Sequence, residues 1–253
     1  MKNSRIGWTE HTINFHEGCE MVSDGCTNCY MFRDMTRYGK NPNVVRRTAD
    51  ATFYKALKWT ESALIFTCSW SDFFIEQADE WRADAWEVIK QTPHHQWQIL
   101  TKRSHRIKEC LPDDWNDGYD NVWLGVSVEN YKKRAVKRIE ELRAIPAKVH
   151  FLSLEPLLSP LNNLDLRGME WVILGGESGN NTGRYQYRPS KLAWFESIIA
   201  QANDQKVPVY VKQLGTYLAK QLGGTNRHGT LFEDFPLSIR VQDYPTAYTK
   251  PVS

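Results

Sequence analysis

Six short apolar runs punctuate the chain: "ALIFTCS" (63–69), "WQILT" (97–101), "VWLGVSV" (122–128), "VHFLSL" (149–154), "WVILGG" (171–176) and "VPVYVKQ" (207–213). Near-continuous Val, Ile, Leu and Phe in such short stretches suits strands covered on both faces, as in a parallel sheet. Amphipathic segments lie between several of them and predict helices over 80–92, 129–145 and 189–204. In the last, Leu192, Phe195, Ile198 and Ile199 recur at the spacing of one buried face, and Pro189 suits a first helical turn.

Adding "TINFHEGC" (12–19) as a first strand gives about seven βα-type units. That number predicts an α/β fold, a single-domain parallel (β/α) barrel that is complete or partial and TIM-like, with a flat open sheet as the alternative. No repeat, low-complexity tract or linker divides the chain. After residue 220 the alternation fades into Gly, Pro and Asn, so 1–220 reads as the barrel and 221–253 as an irregular C-terminal extension packed on it.

Polar residues gather where the runs end: Ser69, Ser71 and Asp72; Thr101, Lys102 and Arg103; Ser127, Glu129 and Asn130; Ser153 and Glu155; Gly175, Gly176 and Glu177; Lys212 and Gln213. In a βα barrel the active site forms at the carboxyl ends of the strands, where the loops begin. These residues therefore mark one candidate face of the fold.

The 253 residues are 41% hydrophobic and 25% charged, the makeup of a globular protein and not of a disordered one. No apolar run approaches the roughly 20 residues of a membrane span, and the opening residues lack the apolar core of a signal peptide. The expected location is the cytoplasm, with no membrane partner. Net charge of +2 says little, but residues 33–58 carry Arg33, Arg37, Lys40, Arg46, Arg47, Lys55 and Lys58 against only Asp34 and Asp50. Tyr38, Phe53, Tyr54 and Trp59 interleave with them and offer rings for base stacking or for the core, the core being expected for Phe53. "KKRAVKR" (132–138) is a second basic group that suits either a phosphate backbone or a solvated helix face, since Glu140 and Glu141 follow it.

Three of the five cysteines, Cys19, Cys26 and Cys29, fall in "GCEMVSDGCTNCYM" (18–31) with the spacing C-x6-C-x2-C. In a reducing compartment such a group suggests metal or redox chemistry more than a disulfide. Gly25 lets the backbone fold tightly around a metal or cluster. Three thiolates are one ligand short of a closed zinc site or a fully ligated [4Fe–4S] cluster, which leaves one position open to something else. A Cys3His zinc site completed by His16 or His11 is the competing reading. Cys68 and Cys110 stand apart and read as buried fillers.

The stretch "WTEHTINFHEGCEMVSDGCTNCY" resembles the opening of a phage-encoded family with a three-cysteine motif, related to radical S-adenosylmethionine (SAM) enzymes and known as a domain of unknown function. "SWSDFF", "QILTKR", "LGVSVEN", "LSLEPLL", "WVILGGESG" and "VPVYVKQLG" are similar to it in order and spacing, over roughly residues 7–217. The resemblance implies a barrel of the radical SAM type, with a [4Fe–4S] cluster on Cys19, Cys26 and Cys29 and SAM chelating the fourth iron. An electron from an external donor then passes through the cluster and cleaves SAM to methionine and a 5′-deoxyadenosyl radical, which takes hydrogen from substrate. It also implies Tyr30 against the cluster, Ser69, Ser71 and Asp72 near the methionine end of SAM, and Ser127 and Glu129 near its ribose. Glu155, Glu177, Lys212 and Gln213 then face the substrate as catalytic groups, with Lys102, Arg103 and Arg188 available for a phosphate or carboxylate. Two departures bear on the SAM contacts: radical SAM enzymes usually space their cysteines C-x3-C-x2-C, and "GGES" (175–178) follows the sixth strand here and not the second.

The leading expectation is a radical SAM enzyme acting on a modified nucleotide or a hypermodified thymidine in phage DNA, by isomerisation or another rearrangement, in the cytoplasm of the host. A non-catalytic nucleic-acid-binding protein stapled by Cys3His zinc is the alternative. A zinc hydrolase using Glu17 or Glu20 as general base ranks last, because neither sits in a His-Glu-x-x-His context.

Overall fold

All six apolar runs become strands in the computed structural model, which describes residues 2–248. In chain order the elements are β1 (His11–Ile13), β2 (His16–Glu17), α1 (Tyr30–Arg37), β3 (Arg46–Arg47), α2 (Asp50–Phe53), β4 (Leu64–Thr67), α3 (Asp79–Lys90) and β5 (Gln96–Thr101). They continue as β6 (Val122–Ser127), α4 (Lys133–Arg143), β7 (Val149–Leu154), β8 (Trp171–Gly175), α5 (Leu192–Asp204), β9 (Val209–Gln213) and α6 (Gly215–Gln221).

Seven strands form one sheet in the order β1-β4-β5-β6-β7-β8-β9, every neighbour parallel. The sheet curls into a half-barrel whose first and last strands share no ladder. A side chain spans that seam: the Tyr210 hydroxyl of β9 donates to the Gly7 carbonyl at 2.8 Å.

Both faces of the sheet are apolar, which explains the unbroken hydrophobic runs. On the outside, Ile65, Leu124, Leu152, Val172 and Val211 pack with Trp86 of α3, Ile139 of α4 and Phe195 of α5. On the inside, Phe66, Trp123, Phe151, Trp171 and Ile173 surround Trp8, which precedes β1. Trp8 meets Phe66 at 4.7 Å and Trp171 at 6.1 Å between ring centroids. Such ring pairs add about 0.5–1.5 kcal/mol each beyond the area they bury.

Three expectations need correction. The predicted first strand is split: β1 joins the main sheet, and β2 pairs antiparallel with β3 as a separate two-stranded ribbon. The break falls at Asn14, whose Oδ1 accepts from the Ser69 hydroxyl and the Trp70 amide, and at Phe15, whose carbonyl is taken by Thr48. The connections are also less helical than seven βα units require. Within the main sheet only β4, β6 and β8 are followed by a helix of more than two turns, while the link after β5 holds two turns of 3-10 helix. Finally, α5 begins at Leu192, so Pro189 lies ahead of the helix.

Beyond α6 the chain has no further helix or strand among the described residues apart from 3-10 turns and one bridge, Tyr210 to Gln242. Phe235 and Ile239 join the outer core, and Tyr244 and Tyr248 cover the inner one. Residues 249–253 of the expected extension lie outside the described residues.

Candidate functional site

At the carboxyl ends of the strands the half-barrel holds a cavity of about 520 Å³, and Cys19, Cys26 and Cys29 all border it. The loop that carries them is short of regular structure: one 3-10 turn, Asp24–Cys26, and then Cys29 as the N-cap of α1. The barrel itself supplies the fixing points. Glu129, just past β6, places its Oε1 3.4 Å from the Gly25 amide, and Asn130 Nδ2 donates to Asp24 at 3.1 Å. Lys132 pairs with the same Asp24 carboxylate at 2.5 Å. From the β8 side, Arg188 donates to the Asp24 carbonyl at 3.0 Å, and Asn28 donates to Glu177 at 3.2 Å. A Cβ on Gly25 would stand 3.2 Å from the carboxyl carbon of Glu129, a tight approach that glycine avoids.

Burial pushes the Cys19 thiol up to about 12, with Asp72 and Cys26 adding to the shift and Arg103 opposing it. Cys29 is raised for the same first reason, opposed by Lys102 and by the open N–H groups of Met31 and Phe32 at the start of α1. Cys26 adds to the shift of both, so the three sulfurs share one electrostatic neighbourhood. The Cys19 and Cys29 thiols therefore hold their protons at neutral pH until a thiophilic metal displaces them. Among the described residues no cysteine is in a disulfide.

Two cations from the end of β5 flank the sulfurs. Arg103 Nη1 lies 3.8 Å from Cys19 Sγ and 3.3 Å from Asp72 Oδ2, and its Nη2 donates to the Glu20 carbonyl at 3.1 Å. Lys102 Nζ donates to Ser127 Oγ at 3.1 Å. Across the cavity, Lys212 Nζ and Glu155 Oε1 form a pair at 2.6 Å, and both residues border the cavity.

The expected site residues divide by what they already hold. Asp72 accepts from Thr101 Oγ1 at 2.6 Å, from the Lys102 amide at 2.9 Å and from the Phe74 amide at 3.1 Å, which ties the β4 and β5 loops together. Ser69 is bound to Asn14, Ser71 donates to the Gly18 carbonyl, and the Tyr30 hydroxyl donates to the Ser69 carbonyl at 2.6 Å. Gln213 donates to the Gly176 carbonyl and to Ser178 Oγ, both at 2.8 Å. Glu177 borders the cavity but carries a forked pair from Arg188, whose Nε donates at 2.8 Å. Glu129 and Arg188 are not in the cavity wall. Glu129 is fully buried and paired with Arg138 at 2.8 Å. The glycines of "GGES" serve packing, since a Cβ on Gly176 would meet the Leu214 carbonyl at 2.0 Å.

The histidines nearest the cysteines in sequence point elsewhere. His16 Nε2 bonds the Asp72 carbonyl at 3.0 Å, and burial lowers its pKa to about 4. His11 accepts from the Asn3 amide and packs on Trp59 at 4.7 Å. Glu17 is held by Lys40 at 2.8 Å. Among the described residues no group of three or more His, Cys, Asp and Glu stands in an arrangement for a metal ion.

Of the interleaved aromatics, Phe53 and Trp59 are core residues and Tyr38 is 67% exposed. In the first basic group Arg33, Lys40 and Arg47 have acidic partners, and Arg37, Arg46, Lys55 and Lys58 make no ion pair among the described residues. The second group is no plain solvated face, because Lys132 and Arg138 are spent on Asp24 and Glu129. Sequence reasoning missed Asn14, Asn28 and Arg138 as supports of the site. Only Asn14, inside an apolar run, carried a signal.

No helix of the described residues is long and apolar enough to cross a membrane. The family described as "Protein of unknown function (DUF5131)" matches residues 3–237, and the chain belongs to it. No curated protein and no solved structure matches the chain.

Proposed function

We propose that this chain is a radical SAM enzyme that holds a three-thiolate [4Fe–4S] cluster and SAM at the mouth of its half-barrel and acts on a nucleotide or on DNA. The observation that carries this reading is the convergence of Cys19, Cys26 and Cys29 on one cavity at the carboxyl ends of parallel strands, with Lys102 and Arg103 beside them. The donor set fits the cofactor: three soft sulfurs in one neighbourhood, with the nearby histidines engaged elsewhere.

When bound, the pair supplies one-electron reductive cleavage of SAM, fed by an external donor, and hydrogen-atom abstraction from the substrate. Cys19, Cys26 and Cys29 would hold the cluster; Ser69 and Ser71 border the cavity with their protons given to Asn14 and Gly18, while Ser127 accepts from Lys102 and keeps its own O–H for SAM. Lys212 and Glu155 face the remaining space as an acid–base pair able to exchange a proton with substrate at Glu155 Oε1. The cysteine loop and α1 form one wall of the cavity, from Cys19 to Asp34. The exposed cations Arg37, Arg46, Lys55 and Lys58, with Tyr38, agree with a phosphate-bearing substrate. An isomerisation or other rearrangement of a modified base in phage DNA is the reaction class proposed.

Anaerobic reconstitution with iron and sulfide, followed by mass spectrometry for 5′-deoxyadenosine with and without nucleotides or DNA, tests the reading. Brown protein that releases 5′-deoxyadenosine is expected. Colourless protein with one bound zinc would replace it with the nucleic-acid-binding alternative.

A further inference from the structure

We propose that Lys102 is the counter-charge of the three sulfurs, holding the reduced form of the cluster and so setting its reduction potential, and that it does not bind substrate phosphate. This rests on reading the cavity as a cluster site.

The reason lies in how charge is distributed around the cavity. Each carboxylate at a strand end has its own cation: Asp72 has Arg103, Glu129 has Arg138, Glu155 has Lys212 and Glu177 has Arg188. Lys102 is left over. Among the described residues it makes no ion pair, and its Nζ bonds only the neutral Ser127 hydroxyl. The start of its side chain is fixed, because its amide is bound to Asp72 Oδ2 at 2.9 Å. Burial works against its charge, but Cys26, Glu129 and Cys29 outweigh that and keep the ammonium above its ordinary range.

Lys102 is half-buried, and a surplus cation there is costly unless an anion joins it. A cluster ligated by three thiolates is anionic, and accepting one electron from an external one-electron carrier adds a further negative charge without breaking a bond. A fixed ammonium in a medium of low dielectric constant favours that reduced state and raises the potential. Arg103 is nearer to a sulfur, but Asp72 already balances it. Glu129 is shared between Lys102 and Arg138, so these two cations leave one positive charge uncancelled, and Lys102 is the one of the two that borders the cavity.

The test compares wild type, K102M and K102R after reconstitution, each poised with one-electron mediators and followed by visible bleaching and electron paramagnetic resonance. K102M is expected to take up wild-type iron and sulfide but to show a more negative midpoint. At a fixed potential the reduced-to-oxidised ratio should fall at least tenfold, a shift of about 59 mV for one electron. K102R is expected to stay near wild type. Loss of the cluster in K102M alone also supports the proposal, since K102R keeps the charge. Equal midpoints in all three proteins overturn it, as does loss of the cluster in both variants. Wild-type protein that takes up no iron overturns the cluster reading as well.

Discussion

Glu129 serves two partners at once: Oε2 accepts from Arg138 Nη1 at 2.8 Å, and Oε1 faces the Gly25 amide at 3.4 Å. Arg138 of helix α4 therefore reaches the cysteine loop through Glu129. Removing the arginine breaks a buried pair and leaves Lys102 as the remaining cation near Glu129, at a cost of up to roughly 3–5 kcal/mol. R138M should melt well below wild type and hold less iron, whereas E129Q should suffer less. Calorimetry and iron assay decide it, and an R138M melt matching wild type would remove the coupling.

Serine in place of Cys19, Cys26 or Cys29 should abolish 5′-deoxyadenosine release and most iron uptake. Cys68→Ser and Cys110→Ser should keep both. The first control is the sharper, because Cys68 borders the same cavity, with its sulfur 3.9 Å from His16 Nε2. Iron loss in Cys68→Ser would redraw the ligand set.

Among the described residues the Lys212–Glu155 pair makes no hydrogen bond to the cysteines. E155Q and K212M should therefore retain wild-type iron and lose product formation by about a hundredfold or more, the usual scale of general acid–base catalysis. Full product yield in E155Q would take the pair out of the chemistry.

His95 is fully buried, with the backbone of Ala56 and Trp59 beside its ring. Burial first, and His94 beside it, lower its pKa from 6.5 to about 4. The unfolded chain takes up the proton before the folded one does, so stability is complete above pH 6.5 and is lost as pH falls toward 4. The contribution is on the order of 1–3 kcal/mol. Urea melts at pH 7 and pH 5 should show that loss, and H95L should reduce it. His16 shifts the same way and should leave a residual slope. An H95L protein with the wild-type slope would contradict the assignment.

The parallel strands were legible because both faces of the sheet are covered, which removes polar residues from runs such as "VHFLSL". The polar strand ends located the cavity for the same reason, since they are where that cover stops. β1 was harder to bound: Asn14 breaks the pattern, yet its side chain rejoins the fold by bonding Ser69 and Trp70. α1 went unseen because it is only eight residues long, although Met31, Phe32 and Met35 share one inward face. The division of labour among charges was also hidden. That Arg138 takes Glu129, Arg188 takes Glu177 and Arg103 takes Asp72 depends on loops meeting across strands, and no spacing along the chain encodes it.

Trp171 touches Trp8 on one side and stacks on Tyr244 on the other, with centroids at 6.1 and 5.3 Å. Residues from nearly opposite ends of the chain thus complete the same aromatic plug. During synthesis the inside of the sheet stays unfinished until the stretch around Tyr244 has left the ribosome, and contacts of such long sequence separation form slowly. Deleting that stretch should do more than trim a tail: it would leave the nascent protein with an open, sticky interior for chaperones to guard.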